Sequence, residues 1–274
     1  DHGITNLSEV RKILEISESE KINLIDTASL YGEAEIKLGN FNLSNFKIVT
    51  KTPKLDSKII TSEEIFNLEK TFQKSLKNLN LNKIYGLLIH DADDLLKKGG
   101  NLIVQKLIDF KEKGLVKKIG VSIYDYRIME KILEFFTPDI VQLPLNVFDQ
   151  ESYFSGALSF WKSKNIEIHA RSIFLQGLIF LDLDNMPEYF HPWKNYFSNF
   201  NRICLKNNLS KLEVALNFIS NINEVDNFIL GLNNSAQLLD LLDCLKAIKI
   251  KTKIDFSKLA ISDPNLINPQ NWKL

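Results

Sequence analysis

Four residues with acid–base character follow short apolar runs in the first third of the chain. Asp26 follows Ile22–Ile25 and leads through Thr27 and Ala28 to Tyr31-Gly32; Lys51 follows Lys47–Thr50; His90, with Asp91 after it, follows Ile84–Ile89. Their chemistry suits proton transfer coupled to hydride transfer. A phenol is a suitable acid for a carbonyl oxygen that is becoming an alkoxide, and a lysine cation beside it favours the phenolate. An aspartate paired with the lysine holds the ammonium in place. A neutral histidine can donate a hydrogen bond to the carbonyl and orient it. Each residue also has a plainer reading: Asp26 as a turn cap, Tyr31 as a packing aromatic, Lys51 as an exposed loop lysine, His90 as a histidine satisfied at a strand end. Their placement at the ends of successive strands favours the chemical reading.

The apolar runs are the elements that must position them. Further strand candidates are Lys118–Val121, ending in Ser122; Ile140–Leu143, carrying Gln142 and leading to Asn146; Ile166–Ala170, ending in Arg171-Ser172; and Asn227–Leu230, ending in Gly231. Each is continuously apolar, as expected of parallel strands buried on both faces. Helical periodicity fills the gaps. Ser62–Leu79 carries Ile65, Leu68, Phe72, Leu76 and Leu79 on one face behind a cap-like Thr61-Ser62-Glu63-Glu64. Leu102–Lys113, Tyr126–Phe135, Ser210–Ser220 and Ser235–Ile248 follow the same period. Strand–helix alternation of this kind predicts a parallel α/β sheet, either doubly wound or an eight-stranded barrel. A barrel gathers the carboxyl ends of its strands on one face, where the active site lies. Leu183–Asn208, rich in aromatics and loop residues, reads as a long insertion.

The chain has 274 residues, 45% hydrophobic and 25% charged, with formal net charge +0 and a pI near 7.1. That balance lacks the basic excess of a nucleic-acid binder. No run approaches the ~18 apolar residues of a membrane span. Two cysteines, Cys204 and Cys244, exclude a disulfide scaffold and fit a reducing, cytoplasmic setting. The histidines at 2, 90, 169 and 191 share no metal-ligand spacing, so no metal site is expected. No linker or composition shift divides the chain, which predicts one domain over residues 1–274.

The pattern Asp26-Thr27-Ala28-x-x-Tyr31-Gly32-x-x-Glu35-x-x-Leu38-Gly39, then Val49-Thr50-Lys51, then Leu87-Leu88-Ile89-His90, resembles the catalytic tetrad of the aldo-keto reductases, in order and in strand placement. Ile119-Gly120-Val121-Ser122, Val141-Gln142-Leu143-Pro144-Leu145-Asn146, Arg171-Ser172-Ile173-Phe174-Leu175-Gln176-Gly177-Leu178, and Ile229-Leu230-Gly231 with Gln237-Leu238 are similar to later segments of that family. The resemblance, strongest to a bacterial branch, spans nearly the whole chain. It implies a (β/α)8 TIM barrel whose first strand would lie ahead of Asp1, with Asp1–Asn6 in the loop after it. It also implies an NADPH-dependent, or less often NADH-dependent, oxidoreductase. The substrate would be an aldehyde, ketone or sugar-derived carbonyl, or the alcohol in reverse.

On this resemblance Tyr31 would be the general acid/base, Lys51 and Asp26 its tuning pair, and His90 the donor that orients the substrate. Ser122 and Gln142 would hold the nicotinamide carboxamide. Ser172, Phe174 and Gly177 would line the pyrophosphate path, and Gly231, Asn233, Gln237 and Asp240 would lie near the adenosine half. The sequence also departs from the family. Ser122-Ile123 stands where many members have Ser-Asn. Arg171 stands where an aromatic often stacks on the nicotinamide, and a planar guanidinium can stack too. Asn233-Asn234 replaces the Lys or Arg that often meets the 2′-phosphate of NADPH, and Leu241 replaces a frequent Asn. The choice between NADPH and NADH therefore stays open. Tyr153, Phe154, Phe174, Trp193 and Trp272 are equally readable as an apolar substrate cleft or as packing. The alternative function is a nicotinamide-binding accessory or regulatory barrel with little turnover.

Overall fold

Seven short strands alternate with helices in this computed structural model, which describes residues 5–248 and 254–273. The stretch Asp1–Ile4, read above as loop and including His2, lies outside the described residues. The strands are β1 (Leu24–Asp26), β2 (Lys47–Lys51), β3 (Ile84–Ile89), β4 (Val116–Ser122), β5 (Ile140–Pro144), β6 (Glu167–Arg171) and β7 (Asn227–Phe228). They form one sheet in the order β1-β2-β3-β4-β5-β6-β7. The pairings from β1 through β5, and that of β6 with β7, are parallel. A parallel neighbour needs a crossover. Helices supply it: α1 (Leu7–Ser19) precedes β1, then α2 (Ala34–Leu38), α3 (Ser62–Leu79), α4 (Asn101–Glu112), α5 (Ile128–Ile132), α6 (Glu151–Phe154), α7 (Ala157–Ser163), α8 (Lys194–Asn207) and α9 (Lys211–Ser220) lie in the connections, and α10 (Ser235–Ala247) follows β7. Strand order equal to chain order is the succession of a (β/α) barrel.

The chain forms two compact units. One comprises Asp1–Gln142, Asn165–Glu167 and Leu232–Leu238; the other comprises Leu143–Lys164, Ile168–Gly231 and Leu239–Leu274. In the first, Val49, Leu88 and Ile140 form a fully buried cluster, with Leu24 and Tyr85 packed on it. Gly120 brings β4 against β5. A Cβ at this position would sit 2.2 Å from the Ile140 carbonyl oxygen and 2.8 Å from Leu88 Cδ2. No side chain fits there, and the close approach sets Ser122 directly opposite Gln142.

α3 begins and ends where its sequence requires. Thr61 caps the amino end and Glu64 reaches back to the Thr61 backbone N–H, a complete capping box, while Asn80 closes the other end in a left-handed conformation. Three segments differ from expectation. α1 was not predicted; Asn6 caps it by accepting from Glu9 N at 2.9 Å. α5, Ile128–Ile132, is shorter than the expected Tyr126–Phe135. The second half of Leu183–Asn208 is helix, not insertion loop. Phe197, Phe200 and Cys204 recur at helical spacing and are buried along one face of α8.

Candidate active site

Asp26 and Lys51, the last residues of β1 and β2, meet Gln142, the middle residue of β5, within the first unit. The Lys51 ammonium donates to Asp26 Oδ2 at 2.6 Å and to the Thr27 carbonyl at 3.0 Å. The Gln142 amide nitrogen donates to Asp26 Oδ1 at 2.7 Å. The Lys51 and Asp26 side chains are only 1% and 7% exposed, and Gln142 is buried. A buried ion pair is held only when its remaining valences are satisfied, and here the carboxylate spends each oxygen on a different partner. Asp26 and Lys51 end their strands, as expected from the sequence. It gave no sign that Asp26 and Gln142, 116 positions apart, bond to each other.

Tyr31 lies in the turn between β1 and α2. Its backbone N–H donates to the Ala28 carbonyl at 3.0 Å, and its carbonyl accepts from Ala34 N at 3.0 Å. Gly32, at φ 56°, turns the chain in a conformation that glycine adopts freely. Tyr31 is 49% exposed. Lys51 Nζ lies 5.1 Å from the centre of the Tyr31 ring, and the His90 ring stands edge-on to it at 6.2 Å. The cation thus sits against the ring face, while His90, half-buried at the end of β3, is tethered by its N–H to Thr52 Oγ1 at 3.2 Å. All four residues of the expected set share one rim of one unit.

Ser122 is Gln142's partner in the β4–β5 register, so the two side chains leave the sheet on the same face. Ser122 is buried. The pair offers an amide and a hydroxyl side by side, the donor and acceptor set that fits a primary carboxamide. The Thr27 hydroxyl, next to Asp26, is buried without a partner among the described residues.

Glu35, quoted in the motif but given no role, is a second buried carboxylate. It accepts from Thr50 Oγ1 at 2.8 Å and from Asn78 Nδ2 at 3.4 Å, tying α2 to the residue before Lys51 and to α3. Its spacing after Tyr31 was the available signal. Asn233 and Gln237 also belong to this unit and bond to each other, Asn233 N donating to Gln237 Oε1 at 2.9 Å. At the start of α10, Glu9 accepts from the Ser235 N–H and hydroxyl at 2.7 and 2.8 Å and pairs with Lys12. These bonds hold its pKa down at about 2.

In the second unit Arg171 ends β6 and donates through Nη1 to Ser172 Oγ at 3.3 Å. Ser172, Leu175, Gln176 and Gly177 all have positive φ, a tightly wound segment after the strand. Phe174 packs on Phe180, with ring centres 5.2 Å apart. Gly231 is exposed, and Asp240 points from an exposed position of α10. Asn146 organises the β5 loop, accepting from Phe148 N and Asp149 N and donating to the Ser172 carbonyl. Tyr153 and Phe154 pack together. Trp193 and Trp272 spend their indole N–H groups on Asp263 and on the Leu266 carbonyl, and Trp272 stands edge-on to Phe190.

No group of three metal-ligating side chains occurs among the described residues, and no described helix is long and apolar enough to cross a membrane.

A sequence model of the aldo/keto reductase family matches residues 2–259. Among solved structures, the holo form of aldo-keto reductase AKR11C1 from Bacillus halodurans matches with a TM-score of 0.74 at 16% identity. That match covers 98% of this chain and 91% of the other. The glycerol dehydrogenase AKR11B4 from Gluconobacter oxydans matches with a TM-score of 0.66 at 19% identity, covering 90% and 88%. Likeness at these identities establishes the fold. No curated protein matches the sequence.

Proposed function

This chain belongs to the aldo/keto reductase family, oxidoreductases of carbonyl compounds, and from that premise we propose that it reduces an aldehyde, ketone or sugar-type carbonyl with NADPH or NADH, Tyr31 supplying the proton. The observation that carries the reading is the buried Asp26–Lys51 pair lying against the Tyr31 ring, with His90 on the same rim. The residues present fit the cofactor's reactive end, because Ser122 and Gln142 offer a carboxamide its donor and acceptor.

The nicotinamide, when bound, supplies the hydride. The residues of this chain handle the proton. The Tyr31 hydroxyl gives its proton to the carbonyl oxygen as negative charge develops there. The phenolate left behind is stabilised by the Lys51 ammonium. Asp26 and the Thr27 carbonyl fix that ammonium, so it need not reorganise as the charge appears. His90 donates to the carbonyl oxygen and orients it towards Tyr31. Glu35 acts further back, holding Thr50 and hence the end of β2 from which Lys51 projects.

Binding tests the reading without knowledge of the substrate. Titration with NADPH and with NADH, followed by nicotinamide fluorescence, is expected to show saturable binding of at least one. A protein that binds neither contradicts the proposal.

A further inference from the structure

The Ser122–Gln142 pair can meet a carboxamide in two senses, with Gln142 as donor or as acceptor. We propose that Asp26 fixes the sense: it is a positioning residue for the cofactor's amide as well as for Lys51, and it makes Gln142 an acceptor. The inference rests on the assignment of Ser122 and Gln142 to the carboxamide.

The argument is one of valence. A carboxylate only accepts hydrogen bonds. The Gln142 atom 2.7 Å from Asp26 Oδ1 is therefore the NH2 group. Asp26 cannot swing away, because its other oxygen holds Lys51 at 2.6 Å and the ammonium is also anchored on the Thr27 carbonyl. All three side chains are buried, so water does not compete for these bonds. With its NH2 engaged, Gln142 turns Oε1 away from Asp26 and presents an acceptor to a carboxamide N–H. The Ser122 hydroxyl, its register partner, is left to donate to the carboxamide oxygen. One carboxylate thereby couples the proton-transfer lysine to the orientation of the redox ring.

Asp26→Asn reverses this logic. An amide has one acceptor oxygen and two N–H donors. With the oxygen on Lys51, the new NH2 faces Gln142, which must flip and present its own NH2 to the cofactor.

The probe is a dinucleotide whose 3-carboxamide is replaced by acetyl, so that methyl stands in place of NH2 and the carbonyl oxygen is kept. Calorimetry on the full chain would compare it with NAD+ and with NADP+. The wild type is expected to bind the carboxamide form about tenfold more tightly, the scale of one buried acceptor left unmet. In Asp26→Asn that ratio is expected to fall to about one or below. A ratio of one in the wild type, or a ratio unchanged in the variant, overturns the inference while leaving nicotinamide binding intact. A wild type that binds no dinucleotide overturns the functional reading, and this inference with it. Should Asp26→Asn fail to fold, the wild type still decides by NMR. One Gln142 side-chain amide proton is expected downfield before cofactor is added and unmoved after. An ordinary amide shift, or loss of the downfield position on binding, overturns the proposal.

Discussion

Asp26 is the residue on which the proposed site turns, since each of its oxygens bonds a different partner, Lys51 and Gln142. Removing its cation partner exposes the cost of burying it. Lys51→Met leaves a carboxylate that is 7% exposed with only an amide for company. The variant is expected to lose about 3–5 kcal/mol of stability, read as a fall in the urea midpoint. An unchanged midpoint would mean that the pair is not buried as described. Thr50→Val removes the 2.8 Å bond to Glu35 and is expected to cost about 1–3 kcal/mol, with a smaller loss of turnover than Lys51→Met because the residue acts only through β2. At this scale the sequence was informative about residue type and place. Asp26, Lys51 and His90 stood out because each follows a β-branched or apolar run, and Tyr31 because it follows Asp26 at short spacing. The Asp26–Gln142 bond was invisible, because a contact between β1 and β5 leaves no trace in local spacing. The contact of Lys51 with the Tyr31 ring face depends on the turn at Gly32, and spacing alone does not give that either.

At the scale of elements, the strands were legible because each holds a short run of β-branched or apolar residues between helical patterns. α3 was legible to the residue because its amphipathic period and its capping box agree. α1 was missed: its stripe is short, and its buried positions are Leu14 and the polar Ser17. α8 was missed because Pro187, Pro192 and clustered aromatics ahead of it read as loop. The register of β4 on β5 is what the cofactor assignment depends on, and Gly120 permits it. Gly120→Ala forces a methyl into the Ile140 carbonyl. It is expected to cost about 1–3 kcal/mol by overpacking and to weaken nicotinamide binding more than Thr61→Ala does. That control loses only the cap of α3, about 1 kcal/mol, far from Ser122 and Gln142 in sequence. Equal cofactor affinity in the two variants would contradict the link between register and site.

For the whole molecule, strand order equal to chain order is the property that makes strand ends a guide to function; the seven runs separated by helical patterns predicted a parallel α/β sheet but left doubly wound and barrel layouts open, because local pattern does not record which strands are neighbours. What the balanced composition excluded was broad: no basic stripe, no long apolar run. The charges do set a pH response. Glu9 and Glu64 have pKa values held at about 2 by their hydrogen bonds, against an ordinary 4.5. The unfolded chain therefore takes up protons first as the solution is acidified. Stability from these two groups is present above about pH 4.5 and is lost as pH falls towards 2. Urea midpoints measured across that window are expected to decline, and less steeply in Glu64→Gln; identical slopes would contradict the assignment.

Turnover through Tyr31 tests the central claim most directly. The wild type, loaded with whichever reduced nicotinamide it binds, is mixed with a panel of aldehydes, ketones and sugars, and loss of nicotinamide absorbance is followed beside Tyr31→Phe. The account predicts that the variant binds the cofactor as the wild type does and reduces the best carbonyl about 10²–10⁴-fold more slowly. A Tyr31→Phe protein that turns over at the wild-type rate contradicts it.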